Sequence, residues 1–556
     1  NFGTDSSGEG NNWSTSSLDS NDKLLDTPTN NFCTWNALDN HSNITVSNGG
    51  LYTSISSGFK LQRATYYLTS GKWYWEVTCD DTGNGFLGVT DYTDSVNSQG
   101  AASASSCMIR TTNGDKRIGG SESSYGSGVS DGDVMMFAVD MDNGKFWAGK
   151  NNSWFNSGDP AAGSNAASSA ITNPVTPTLG MYDSENYTGN FGQRAFSYTP
   201  PTGFKKLNSA NLPDPSIKKP NKHFDTLLYT GNGGTQSITG LEFQPDWVWI
   251  KERAGAYHHS LTDSVRGVLK TLSSSRVDIT EKAESNGLNQ LLSNGLGFNG
   301  DGFYYVNRNS ESYVAWNWNA GGSTVTNNDG ASTSQVRANT TAGFSIVTYT
   351  GTGSVTTLGH GLGVAPKVVL TKPRSATGSW GVLHTVSNTS AENRLHLNDN
   401  GGYSSYQGYK LWGDTVPTSS VFTVREDDST NASSVTYVAY VFSEVAGYSK
   451  FGKYTGNGDA NGTFVFTGFS PALIMTKRTG NSGNWYMWDP TREGNVMNSP
   501  LQANDAGAEP ASYDNSLDIL SNGFKLRATN AGSNGSGESY LYMAFAESPF
   551  KYSRAR

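Results

Sequence analysis

The chain has 556 residues, with 65 Gly, 12% aromatic residues and only 16% charged residues. That aromatic content excludes a disordered chain. With 39 basic against 48 acidic residues, a net charge of −9 and no basic stripe, a phosphate backbone would find little to hold, which excludes nucleic-acid binding.

No apolar run approaches the ~18–20 residues a membrane-crossing helix needs, and no signal-peptide pattern opens the chain. Its first residue, Asn1, reads as the start of a processed or internal portion. Cys33, Cys79 and Cys107 are too few, and odd in number, for a disulfide framework; they fit folding in a reducing cytosol. Ser, Thr, Asn, Gly and aromatic residues dominate over helix formers, the pattern of many short strands joined by Gly/Asn turns, so the fold class is all-β.

Residues 1–30 are polar and read as an extended N-terminal arm. Between 31 and 205 the strand signals follow in order: GKWYWEV (Gly71–Val77) alternates apolar and polar, GFLGV (Gly85–Val89) is a short buried run, and Val134–Phe155 forms two strands around Asp142-Asn143-Gly144. Thr178–Tyr182 and Asn190–Phe196 complete the set. The succession WYWEV, GFLGV, VMMFAVDMDNGKFWAGKNNSW and NFGQRAF resembles a SPRY domain of the kind found in phage virion proteins. That resemblance implies a β-sandwich whose loops bind partners without catalysis.

Residues 199–222 hold five of the 18 prolines and five lysines. Proline fixes φ and cannot donate to a ladder, so 206–222 reads as an extended linker.

The remainder repeats three times, at 223–343, 344–450 and 451–556. Each unit opens on a Tyr-Thr-Gly turn (Tyr229, Tyr349, Tyr454) and continues into a strand bracketed by a proline and a lysine six residues on (Pro245–Lys251, Pro366–Lys372, Pro471–Lys477). It closes on a Tyr-x-Ala-aromatic strand, read at Tyr313, Tyr437 and Tyr542. Such shared spacing marks three copies of one domain. The apolar runs after each proline predict strands buried on both faces. Each unit is long enough for a core of its own, which predicts independent beads.

The segments PDWVWIKER, SLTDSVRG and ESYVAWNWNAGG are similar to an uncharacterised domain of marine phage tail and virion proteins. The third copy departs from it at Thr491-Arg492-Glu493-Gly494, where the first has Ser264-Val265-Arg266-Gly267, and the second lacks that Arg-Gly.

Few residues offer chemistry. The glycine turns lead into strands and lack the Gly-Lys-Ser/Thr ending of a phosphate loop, so they read as hairpin turns. DMDNGK (Asp140–Lys145) lacks the helices and the position-12 Glu of a calcium loop, leaving a turn. His258-His259 has no second ligand pair nearby. It corresponds to Trp380-Gly381 and Trp485-Tyr486, so His258 reads as an aromatic packing substitute. Asp80-Asp81 and Asp427-Asp428 are sequence neighbours, and on a strand these point to opposite faces. No catalytic residue, metal site or cofactor is assigned. A ligand-binding surface is read at Tyr403, Tyr406, Tyr409 and Trp412, where aromatic rings among Gly, Ser and Gln suit stacking on sugars, and again at Trp485 and Trp488 of GNWYMWDP (Gly483–Pro490).

The expectation is therefore a non-enzymatic phage virion fibre or appendage protein, made in the host cytoplasm and displayed on the particle exterior. Its partners are other virion proteins and a host-surface glycan or protein, with no nucleic acid and no membrane span. Fibres of this kind imply a homo-oligomer, a trimer by analogy. The alternatives are a purely structural capsid or tail decoration protein and a polysaccharide depolymerase.

Overall fold

A computed structural model describes residues 25–553 apart from 28, 98–99, 279, 387–393, 404–410 and 512–515, together with 7, 9–12 and 14. The regular structure among the described residues is almost all strand; the single α-helix among them is the turn Pro490–Glu493. The chain divides into two compact units, residues 1–213 and 214–556.

The first unit consists of two sheets, antiparallel except where the short strand Lys205–Lys206 runs parallel to Lys72–Asp81. One runs Trp35–Asn40, Phe59–Ala64, Val175–Tyr182, Phe86–Asp91, Cys107–Arg110, Lys116–Ile118, Ser121–Ser123. The other runs Ser153–Trp154, Lys145–Lys150, Val134–Asp140, Lys72–Asp81, Asn186–Asn190, Tyr52–Ile55, Ile44–Ser47. Lys72–Asp81 alternates about its sheet: Trp75 stacks on Phe137 at 5.3 Å, while Tyr74 meets Phe196 edge-on at 4.9 Å. Gly189 is required where Trp35 of the first sheet approaches the second, since a Cβ there would lie 2.8 Å from the indole nitrogen. The DMDNGK turn closes as a hairpin, with Asp140 paired to Lys145. Its carboxylate is engaged by Asn143 and Lys72. Cys33, Cys79 and Cys107 are free and buried, and burial pushes the Cys33 and Cys107 thiols up to about 12.

In the second unit each repeat builds the same antiparallel sheet. In the first repeat the order is Phe224–Thr230, Ser312–Trp318, Trp247–Glu252, Ser260–Asp263. The second follows with Phe344–Thr350, Thr436–Phe442, Val368–Pro373, Gly381–His384, and the third with Ser449–Thr455, Ser539–Pro549, Phe469–Arg478, Trp485–Trp488. A hairpin from 325 to 339 extends the sheet of the second repeat through pairing with Phe344–Thr350.

Both faces of each sheet are buried, as the apolar runs require, but by different material. Val248 and Ile250 point into a small core that the first repeat makes for itself, whereas Trp247 and Trp249 point into a core common to all three repeats. Val369 against Val368 and Leu370, and Ile474 against Leu473 and Met475, divide the same way. At the centre of the common core the equivalent residues Trp318, Phe442 and Phe545 converge, with Trp318–Phe545 at 5.6 Å and Phe442–Phe545 at 5.7 Å. The repeats are thus not independent beads. Each has a private core, but removing one would expose the inward face of the other two.

Register corrects one more reading. Tyr229 pairs with Tyr313 and Tyr349 with Tyr437, but Tyr454 pairs with Tyr540, not Tyr542. The third closing strand carries tyrosines two apart, and both suit a strand face; only the ladder distinguishes them.

Candidate functional site

The Tyr-Thr-Gly turns hold protein, not ligand. Each opening tyrosine stacks on its closing partner, at 4.9, 5.2 and 5.0 Å in the three repeats. A fully buried asparagine, Asn307, Asn431 or Asn534, plugs the turn. In the first repeat Gly231 N–H donates to the Glu311 carbonyl, Asn232 N–H to Asn307 Oδ1 and Gly233 N–H to the Asn307 carbonyl. Asn431 and Asn534 accept the corresponding bonds from Thr352 and Asn457. A Cβ on Gly231 would come within 2.2 Å of the Arg308 carbonyl, and Gly233 sits at φ 71°. These N–H groups are already bonded, so the turn offers a phosphate nothing.

Three further sets of equivalent residues lie at the seams between the repeats, and the first joins them into a closed ring. Trp380 Nε1–H donates to the Ser273 carbonyl at 2.8 Å, and Trp485 Nε1–H to the His396 carbonyl at 2.9 Å. His259 Nε2 reaches the Gln502 carbonyl at 3.0 Å. So the second repeat bonds to the first, the third to the second and the first to the third. His259, not His258, is therefore the residue in the tryptophan position; His258 lies one place off and bonds Ser275. Trp249 N–H donates to His259 Nδ1, so Nε2 carries the proton that reaches Gln502, and burial pushes the imidazole down to about 3.

The repeated lysines are also buried. Lys372 reaches the Arg276 carbonyl of the first repeat and Lys477 the Asn400 carbonyl of the second, while Lys251 bonds carbonyls of its own repeat. Burial pushes all three down to about 8.

The third set breaks the symmetry. Asp263, buried, accepts from Arg266 and from Tyr440 O–H of the second repeat. Arg266 continues to Glu281, which also binds Arg374 of the second repeat. Asp489 repeats the arrangement with Arg492 and with Trp316 N–H of the first repeat, and Glu509 binds Arg253 there. The equivalent of Asp263 in the second repeat is His384, and the third repeat has Met543, with no proton to donate, at the place of Tyr440 and Trp316; His384 Nε2 instead meets the Tyr542 carbonyl at 3.1 Å. Burial pushes this imidazole down to about 4. The missing Arg-Gly of the second repeat is the counterpart of this change: without a buried aspartate there is no charge for it to balance.

Where the second repeat meets the third, a cleft of about 650 Å³ opens instead. Among the described residues it is lined by Arg394, His396, Asp399, Tyr403, Asn481 and Ser482, with glycines between them. The 399–403 segment is fixed to the third repeat through Tyr403 N–H to the Thr479 carbonyl and Gly483 N–H to the Asn400 carbonyl. His396 Nδ1 is 3.0 Å from Asp399, and Arg394 Nε–H donates to His396 Nε2 at 2.9 Å. Against the upward push of burial, hydrogen bonding from His396 holds the Asp399 carboxyl below its usual range. This imidazole resembles the base of a catalytic pair, but its second nitrogen is already taken, leaving no lone pair for a nucleophile's proton. The cleft is built to hold polar groups in place.

Of the described aromatic residues read as a ligand surface, only Tyr403 reaches this cleft, half-buried against the common core. Trp412, Trp485 and Trp488 are interior, at most 1% exposed, and their rings are covered by protein, so none can stack on a ligand. Tyr406 and Tyr409 lie outside the described residues. No group of three or more His, Cys, Asp or Glu able to hold a metal occurs among the described residues.

A ring of three fused β repeats with a cleft at one seam defines a class of multi-repeat β protein. Residues 219–549 match the profile of a family described as a domain of unknown function (DUF7483), and the chain belongs to that family. The match spans all three repeats. Among solved structures, the human HERC1 SPRY domain is 19% identical, aligned over 29% of this chain and 99% of its own, with a TM-score of 0.25. The TRIM65 PSpry domain is 14% identical over 29% of this chain and 92% of its own, also at 0.25. A human SPRY domain is 15% identical over 28% and 98%, at 0.23. A search among curated proteins finds no match.

Proposed function

We propose that the chain is a non-catalytic recognition protein on the exterior of a phage particle, binding a host-surface glycan or protein through loops held on rigid β scaffolds. The seam cleft carries this reading. Its polar side chains are fixed by one another and its half-buried tyrosine sits at the wall, an arrangement suited to holding a ligand. The occupied imidazole speaks against hydrolysis. The virion setting rests on the resemblance of WYWEV…NFGQRAF and of the repeats to phage virion domains.

The test is binding of labelled full-length protein to cells of the host bacterium, with its effect on phage adsorption. Saturable binding that slows adsorption is expected. Protein that neither binds nor competes would leave a structural decoration role, and shortening of envelope polysaccharide during incubation would indicate a depolymerase.

A further inference from the structure

The three repeats act as controls for one another: a side chain exposed in one and absent from the equivalent places in the others is not required by the fold. In the loop before each plug asparagine, the first repeat alone passes this test with aromatic side chains. Counting back from Asn307, Asn431 and Asn534, the first repeat has Phe303 and Tyr305 where the second has Asp427 and Ser429 and the third Asn530 and Gly532. The residue after the plug is Arg308, against Ala432 and Gly535. Two places before the ring position occupied by His259, the first repeat has Tyr257, where the others have Gly378 and Gly483.

Tyr257, Tyr305 and Arg308 meet in space. Tyr257 and Tyr305 lie 4.8 Å apart, and the Arg308 guanidinium packs over both, 4.6 Å from the first ring and 5.9 Å from the second. Phe303 lies two residues before Tyr305 on the same loop, with Lys282 Nζ 5.2 Å from its ring. Phe303 is 46% and Tyr305 44% exposed, although both belong to residue types that folding normally hides. Tyr305 is also held at φ 55°, a backbone region costly for a bulky side chain. Neither exposure nor strain serves the core.

We infer that Tyr257, Tyr305 and Arg308, with Phe303 exposed on the same loop, form a carbohydrate-binding platform for a neutral glycan. Ring faces stack on the C–H faces of sugars, and the tyrosine hydroxyls and guanidinium bond the sugar hydroxyls. The charge around it is balanced: Arg308 pairs with Glu252 at 3.3 Å, and Glu284 accepts from the Phe303 N–H. An acidic polymer would gain little there. A protein partner is disfavoured by size. Three partly exposed rings, at ~150–250 Å² each when wholly buried, fall short of the ~800 Å² per side of a stable interface, and the adjoining Asn309 and Ser310 are exposed and polar.

This platform is separate from the seam cleft and rests on the recognition reading only for its biological setting. The test applies full-length protein to a printed panel of neutral glucans, galactans and mannans, with uronic-acid polymers alongside. Wild type should bind at least one neutral member. Phe303→Ala and Tyr305→Ser, the latter installing the second repeat's residue, should each weaken that binding at least tenfold, while Tyr305→Phe retains most of it. Unchanged thermal unfolding would separate these effects from misfolding. The inference is overturned if wild type binds no neutral member, binds only the acidic polymers, or binds equally after both substitutions. Protein that binds host cells but no glycan would overturn the platform and leave the recognition reading; the converse would do the opposite.

Discussion

Two seams of the ring are ionic and the third is not. Between the first and second repeats, and between the third and first, a buried aspartate takes a proton donor from the neighbour and an arginine–glutamate–arginine chain continues outward. Between the second and third, a neutral histidine meets a backbone carbonyl and a cleft lies alongside. The apolar contacts and the tryptophan-position bonds are common to all three. Closure of the ring therefore does not need the charges. The seam without them is where the molecule has room for something else.

The comparison breaks most decisively at the aspartates. Asp263→Ala or Asp489→Ala would remove the fully buried carboxylate beside Arg266 or Arg492, leaving only the outer Glu281 or Glu509 to balance the charge, and each should cost about 3–5 kcal/mol in denaturant unfolding. His384→Ala removes a neutral bond at the equivalent place and should cost less, about 1–3 kcal/mol. Equal losses at all three positions would show that the seams do not differ in kind.

Acid sharpens the comparison by a smaller effect. His259 and His384 have folded values pushed down to about 3 and 4, below the ordinary 6.5. Between those limits the unfolded chain binds more protons than the folded one. Their stabilisation is complete above pH 6.5 and is lost as pH falls, each with a slope approaching ~1.4 kcal/mol per pH unit. His259→Trp, which restores the residue of the other two repeats, should remove the first repeat's share of that slope in unfolding measured from pH 7 to 4. An unchanged slope would mean that His259 is already protonated in the fold.

Much of this architecture was legible in the sequence. The proline-to-lysine runs announced strands with two buried faces, and the glycine turns failed as phosphate loops for want of a following helix. What covers the second face was not legible, because Trp247 reads the same whether the atoms opposite belong to its own repeat or to Tyr440 of the next, on which it stacks at 4.2 Å. The plug asparagines escaped notice because one Asn in an Asn-rich chain has no period. GNWYMWDP looked like a displayed surface because its neighbours are Gly and Asn. Its tryptophans are interior because the strand they form has a private core on one side and the common core on the other. The Tyr542 assignment slipped by two residues where only ladder pairing fixes the register, whereas the His258 slip of one was legible, since Lys251–His259, Lys372–Trp380 and Lys477–Trp485 share one spacing.

The central claim is that the three repeats form one cooperative body around a shared core. Calorimetry of residues 214–556 tests it most directly. A single transition is predicted, with calorimetric and van't Hoff enthalpies equal. Three separable transitions, or a lone fragment 344–450 that unfolds at the same temperature as the whole unit, would contradict it.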